Sequence, residues 1–200
     1  GEPTNFVFVL ADDLGWGDFP WSGAGESSVL SPHLSKMVKE GTLLSNYYVN
    51  PICTPTRASF MTGRYPIHLG LQHGVIRDTV ADAVPLNETM VPEHLRALGY
   101  KTHIVGKWHL GFERKVYTPE SRGFETHFGY YTGNEEYWNH TSPCWHCGNF
   151  TALDLHFATN TTFEPITNAS GVYSTNLFGS ACERIIRAHD ASTPLFLYAP

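Results

Sequence analysis

The 200 residues carry a formal net charge of −6 and no lysine or arginine run, which argues against a nucleic acid or an anionic membrane as a partner drawn by bulk charge but leaves a locally basic site for an anionic substrate open. Hydrophobic residues make up 42% and charged residues 16%, a globular balance that fits one domain with a real core and excludes a disordered chain. The apolar runs 6–11 and 194–199 are far too short to cross a bilayer.

The chain opens Gly-Glu-Pro-Thr-Asn, without a signal peptide, and enters a strand at once, as a mature chain would. Asn5 to Ala11 is a continuous apolar run, the pattern of a strand covered on both faces in a parallel sheet. It ends in Asp12-Asp13-Leu-Gly-Trp-Gly-Asp18, and the carboxyl end of a buried strand is where α/β folds place ligand sites. Ser31 to Gly41 reads as a helix with Ser31 as N-cap, Pro32 in the first turn and Gly41 at its end. Leu43 to Val49 is a short strand candidate. Pro55 to Thr62 reads as a helix with Cys53 at or just before its start, and Met90 to Leu98 as another, stopped by Gly99. Lys101 to Val105 returns as a strand and runs into Gly106-Lys-Trp-His-Leu-Gly111. Residues 112–172 are loop-rich and aromatic. Tyr173 to His189 is helical, with Val172, Leu177, Ala181, Ile185 and Ile186 spaced for one face, and Pro194 to Ala199 is a final core strand. The order β-α-β-α-β-α-β predicts an α/β sandwich with a largely parallel sheet, and a chain that stops directly after a core strand reads as truncated.

Three groups of residues carry chemistry. Adjacent Asp12 and Asp13 would repel each other unless solvated or bridged, and oxygen ligands of this kind suit a hard divalent ion, calcium or magnesium, over zinc. Asp18, in a Gly-rich stretch, reads as a turn residue. Cys53 at a helix head would sit among free backbone amides and the positive dipole end, and Pro55 has no N–H to lose there. Arg57, one helical turn on, brings its guanidinium back beside residue 53. Lys107 and His109 lie two apart after a core strand, so extended geometry would place them on one face, with Trp108 packing the opposite way. A lysine can hold an anionic oxygen and a histidine can pass a proton near neutral pH. His33, His68, His73, His94 and His103 have no such setting and read as packing or surface residues.

Asn-x-Ser/Thr triplets begin at Asn87, Asn139, Asn149, Asn160 and Asn168, four of them crowded between 139 and 170. That density predicts passage through the secretory route, to the lysosome or the extracellular space, with an exposed loop in this region. Cys144-Trp-His-Cys147 has the spacing of half a zinc site or a redox pair. No second Cys-x-x-Cys accompanies it, so in a secreted protein a disulfide is the better use. Cys144, Cys147 and Cys182 cannot all pair within the chain.

Cys53-Thr-Pro-Thr-Arg57 followed by Thr62-Gly-Arg64-Tyr, together with Leu10-Ala-Asp-Asp-Leu-Gly-Trp-Gly-Asp18 and Gly99-Tyr-Lys-Thr-His-Ile-Val-Gly-Lys-Trp-His-Leu-Gly111, resembles the successive blocks of the type I, formylglycine-dependent sulfatases. The stretches Asn46-Tyr-Tyr, Gly70-Leu-Gln-His and Arg122-Gly-Phe-Glu resemble the subgroup of arylsulfatases B, I and J. The resemblance implies an alkaline-phosphatase-like fold and hydrolysis of aryl sulfates or of glycosaminoglycan sugar sulfates such as N-acetylgalactosamine 4-sulfate. It implies that a formylglycine-generating enzyme oxidises Cys53 to formylglycine, whose hydrate attacks sulfur through one hydroxyl and expels sulfate through the other. By the same resemblance Asp12, Asp13 and residue 53 ligate one calcium ion, Arg57 steadies the formylglycine, Lys107 contacts sulfate and nucleophile, and His109 hydrogen-bonds the gem-diol. Family members are longer and carry a further metal-binding Asp-Asn pair, a second histidine and a further lysine that match nothing here. Residues 1–200 therefore read as the N-terminal part of a sulfatase catalytic domain, with 112–172 a sequon-rich insertion. The competing readings are a phosphate mono- or diester hydrolase of the same superfamily, against which Cys53 speaks, and a non-catalytic secreted glycan-binding fragment.

Overall fold

The computed structural model describes residues 3–22, 30–144, 148 and 150–200. Its centre is a six-stranded sheet built from β1 (Phe6–Val9), β2 (Lys101–Lys107), β3 (Thr126–Tyr130), β6 (His156–Thr159), β7 (Phe163–Pro165) and β8 (Leu195–Ala199), in the order β1-β8-β2-β3-β6-β7. The pairs β1–β8, β8–β2 and β2–β3 are parallel, and β3–β6 and β6–β7 are antiparallel. A separate hairpin pairs β4 (Thr141–Cys144) with β5 (Phe150–Leu153). The stretch 112–172 thus supplies half of the main sheet.

Alternation along the central strands explains the layers. Ile104, Phe196 and Tyr198 face one way, into a core with Ala58 and Met61 of α2 (Cys53–Thr62) and, at its margin, Val91 and Leu95 of α3 (Val91–Ala97). Val105, Leu195 and Leu197 face the other way, onto Phe178, Ala181, Cys182 and Ile185 of α4 (Ser174–Ala188). The contact stripe of α4 passes through Phe178 and Cys182, and Val172 and Ile186 remain exposed, because helix direction, and not spacing alone, decides which flank meets the sheet. The remaining helix, α1 (Pro32–Glu40), buries no residue.

Two strand expectations are corrected. Among the described residues β1 pairs with β8 alone, and Phe6, Val7 and Val9 are largely exposed while Phe8 stacks on Phe60 at a ring distance of 3.9 Å. Residues 43–49 form no strand, and among the described residues none pairs with them; Tyr47, Tyr48 and Val49 lie exposed along a groove beside α2. No helix among the described residues is long and apolar enough to cross a membrane.

Candidate active site

The carboxyl ends of β1 and β2 open toward the head of α2, and the singled-out residues meet there. Cys53 is the first residue of α2, preceded by Ile52 in extended conformation, and no side chain caps this end. The first amides of the helix are therefore free to face an anion. Gly63, at φ 68°, closes the other end in the left-handed conformation. A cleft of about 400 Å³ lies in front of Cys53, lined by Asp12, Asp13, Asn50, Ile52 and Arg57 among others.

Lys107, the last residue of β2, donates from Nζ to Asp12 Oδ2 at 2.9 Å and to Cys53 Sγ at 3.1 Å. Arg57 donates from Nη1 to the Lys107 carbonyl at 2.8 Å and reaches Asp12 Oδ1 from Nη2 at 3.4 Å. Cys53 Sγ lies 3.7 Å from the same Asp12 oxygen. Both cations are nearly inaccessible, Arg57 at 1% and Lys107 at 2% exposure, whereas Asp12 keeps a side exposed to the cleft. Burial pushes the Asp12 carboxyl up, but Lys107 and Arg57 outweigh it and hold the group below its ordinary range. Two carboxylates, Asp12 and Asp13, stand against two buried cations, so the cleft is charge-balanced as it stands and a bound cation would make it positive toward an anionic ester group.

Asp12, Asp13 and Cys53 present donor atoms all within 4.8 Å of one another. Asp13 takes φ 53°, a left-handed conformation that aspartate tolerates and that turns its carboxylate back toward Asp12 and Cys53. Two carboxylates and the position of Sγ, where an oxidised residue 53 would carry oxygen, fit a hard divalent cation. Three donors fall short of the roughly six to eight oxygens calcium takes. Asp18 lies outside this group: it accepts the Gly15 N–H at 2.7 Å and closes its own turn.

His109 differs from its expected placement. β2 ends at Lys107, and His109 takes φ 59°, so the two do not share an extended face; the left-handed turn redirects the imidazole. Its ring nitrogen Nε2 bonds the Ile76 carbonyl at 2.8 Å, and Nδ1 is buried without a hydrogen-bond partner. Burial, then the Lys107 and Arg57 charges, pull its pKa down to about 4, against the opposing Ile76 hydrogen bond and Asp12 charge. Trp108 packs into the core as expected, at 1% exposure. Sequence reasoning passed over Thr54, fully buried, which donates to the His109 carbonyl at 3.1 Å and accepts the Ile76 N–H at 3.1 Å. Its place inside the Cys53 motif was the available signal. Cys53 and Cys182 are free thiols; Cys147, His146 and Asn149 lie outside the described residues.

The comparisons agree with this architecture. The family model described as Sulfatase matches residues 4–200. The chain is 42% identical over 197 residues to arylsulfatase J of Mus musculus, covering 97% of this chain and 31% of that protein. It is 39% identical over 136 residues to N-acetylgalactosamine-6-sulfatase of Homo sapiens, covering 64% and 26% respectively. Among solved structures, Ps i-CgsB superposes with a TM-score of 0.82 at 27% identity over 100% of this chain and 45% of the other. The PsFucS1 sulfatase from Pseudoalteromonas sp. gives 0.75 at 25% identity over 99% and 43%. The chain thus spans about a quarter to a third of the length of the curated relatives it matches, and its α/β sandwich is the alkaline-phosphatase-like fold. On the strength of a family match running from residue 4 to residue 200, the chain belongs to the sulfatase family.

Proposed function

We propose that these residues form part of the active site of a sulfuric ester hydrolase, as the N-terminal portion of its catalytic domain. The observation that carries the reading is the meeting of Asp12, Cys53, Arg57 and Lys107 at the uncapped head of α2. In this reading a formylglycine-generating enzyme oxidises Cys53, and the Sγ contacts stand in for those of the hydrated aldehyde oxygens. That group supplies one hydroxyl to attack sulfur and another to release sulfate. Asp12, Asp13 and residue 53 would hold a calcium ion, which supplies positive charge for the ester oxygens. Lys107 binds a sulfate oxygen and the nucleophile together, since its Nζ already spans Asp12 and residue 53. Arg57, fixed by the Lys107 carbonyl, lends a second positive charge and keeps Asp12 ionised. His109, neutral at physiological pH, accepts a hydrogen bond from a hydroxyl at residue 53.

The substrate class is a sulfated sugar or aryl sulfate. Support comes from the names of relatives, N-acetylgalactosamine-6-sulfatase among them, and from Ps i-CgsB, which was also solved with k-i-k-neocarrahexaose at 26% identity. Passage through the secretory route to the lysosome or outside the cell is supported by the exposure of Asn87, Asn139, Asn160 and Asn168, which are read as glycosylation sites alongside Asn149. Cys144 is engaged in a disulfide in the same reading. Intact-mass analysis tests the core claim: conversion of Cys53 lowers the mass by about 18 Da and makes the site reactive to an aldehyde probe. A Cys53 that stays a thiol in active protein refutes it.

A further inference from the structure

His109 is held from several sides. Its N–H donates to the Tyr131 carbonyl at 3.1 Å, and its own carbonyl accepts the Thr54 hydroxyl at 3.1 Å. The Thr54 oxygen in turn accepts the Ile76 N–H at 3.1 Å, and the Ile76 carbonyl faces ring Nε2 at 2.8 Å. Thr54 therefore ties the head of α2, the residue-76 loop and the turn after β2 into one unit. A carbonyl can only accept, so Nε2 carries the proton of the neutral ring and Nδ1 keeps its lone pair. That Nδ1 is buried and unpartnered, with the residue at 5% exposure. Native interiors seldom leave a buried acceptor unmet, so an acceptor held open within range of the Lys107, Arg57 and Asp12 charges points to a hydrogen-bond donor that arrives with the reaction.

Gly133 closes the remaining side. A Cβ at this position would lie 2.6 Å from His109 Cε1, 2.8 Å from Nε2 and 3.3 Å from Nδ1. Gly133 is not among the glycines with positive φ, so its backbone makes no demand for glycine. What a side chain would take away is the space of the imidazole.

We propose that Thr54, the Ile76 peptide and Gly133 form a seat that fixes His109 as its Nε2–H tautomer with Nδ1 free to accept a hydroxyl at residue 53, and that Thr54 and Gly133 are positioning residues of the reaction. The inference rests on the reading of His109 as a participant in sulfate-ester cleavage.

The test uses the full protein, with conversion of Cys53 checked by mass in every variant. Gly133→Ala should lower kcat about 10- to 100-fold, as ångström-scale misplacement of a reacting group does, with KM within about two-fold. Thr54→Val should do the same and Thr54→Ser should restore activity, because only the hydroxyl joins the Ile76 N–H to the His109 carbonyl. Nitrogen NMR of the His109 ring should report the Nε2–H tautomer in the parent protein. The proposal is overturned if Gly133→Ala and Thr54→Val both keep parental kcat while His109→Ala loses it, or if the ring is the Nδ1–H tautomer. Parental kcat in His109→Ala would instead refute the underlying role of His109. Should Thr54→Val fail to fold, Gly133→Ala and the tautomer still decide the matter.

Discussion

His109 and His140 are both buried, and both take left-handed backbone angles, φ 59° and φ 61°. They end in opposite chemical states. His140 Nδ1 lies 3.1 Å from Glu135 Oε1 and 3.2 Å from Ser174 Oγ, its Nε2 lies 3.0 Å from the Ala169 carbonyl, and Ser174 donates to Glu135 Oε2 at 2.9 Å. Serine, histidine and an acid in contact resemble a nucleophilic triad, but both partners crowd the same ring nitrogen and a carbonyl occupies the other. No nitrogen is left to take a proton from serine and pass it on. His109 has two cations for neighbours and one nitrogen without a partner. The two nitrogens of His140 are both engaged within its loop, whereas one nitrogen of His109 is left without a partner near two cations, the difference on which the proposed role of His109 rests.

This contrast can be broken by mutation. The largest effect is expected at the cleft: Cys53→Ala should cost at least about 1,000-fold in turnover of an aryl sulfate by the full protein, as loss of a nucleophile does. Lys107→Ala should cost about 100-fold or more through kcat, measured in the same assay. In the loop the expected effect falls on stability. His140→Phe leaves buried Glu135 with Ser174 alone and should lower unfolding free energy by about 2 kcal/mol in urea titration, as loss of a buried hydrogen bond to an acid does, with kcat of the folded protein unchanged. A loss of kcat without loss of stability would erase the distinction between the two histidines.

Acidification offers a finer measure. His109 ordinarily titrates at 6.5 but in the fold only at about 4, and fully buried His127 is likewise pulled down, by burial and by His156. Between those values these histidines bind more protons in the unfolded chain than in the native one, so they make native stability fall as pH drops from 6.5 toward 4, against an opposite contribution from Glu135, whose carboxyl burial pushes up. His109 alone contributes about 3 kcal/mol of that fall, because each tenfold loss of proton affinity on folding is worth about 1.4 kcal/mol. Urea midpoints across this range check it, and a profile that rises toward pH 4 would show that the rings are not held neutral. A comparable effect concerns the acids: calcium at a hundred-fold excess over its dissociation constant should add about 2.7 kcal/mol to stability. Asp13→Asn should abolish most of that gain, read as a change in thermal midpoint.

Much of the site was legible because its parts are local. The turn that closes around Asp18, the helix that starts at Cys53 with Pro55 in its first turn, and the return of Arg57 beside residue 53 follow from backbone rules acting over a few residues. Cap residues, apolar runs and periodicity also located the four α-helices of the described residues and the strands around Phe6, Ile104 and Leu197. What required the fold was every relation between distant segments. Lys107 meets Asp12 across 95 residues and Cys53 across 54, and no spacing rule reaches that far. An apolar run at Phe6 to Val9 states an affinity for cover but not which distant segments supply it, here β8 and Phe60. Alternation after β2 put His109 on the face of Lys107, until a left-handed turn, held by Thr54, Ile76 and Tyr131, rotated it away. The order of residues determined which chemical groups are present and which short elements carry them. Tertiary packing determined which groups face each other, because that choice belongs to contacts summed over the whole core.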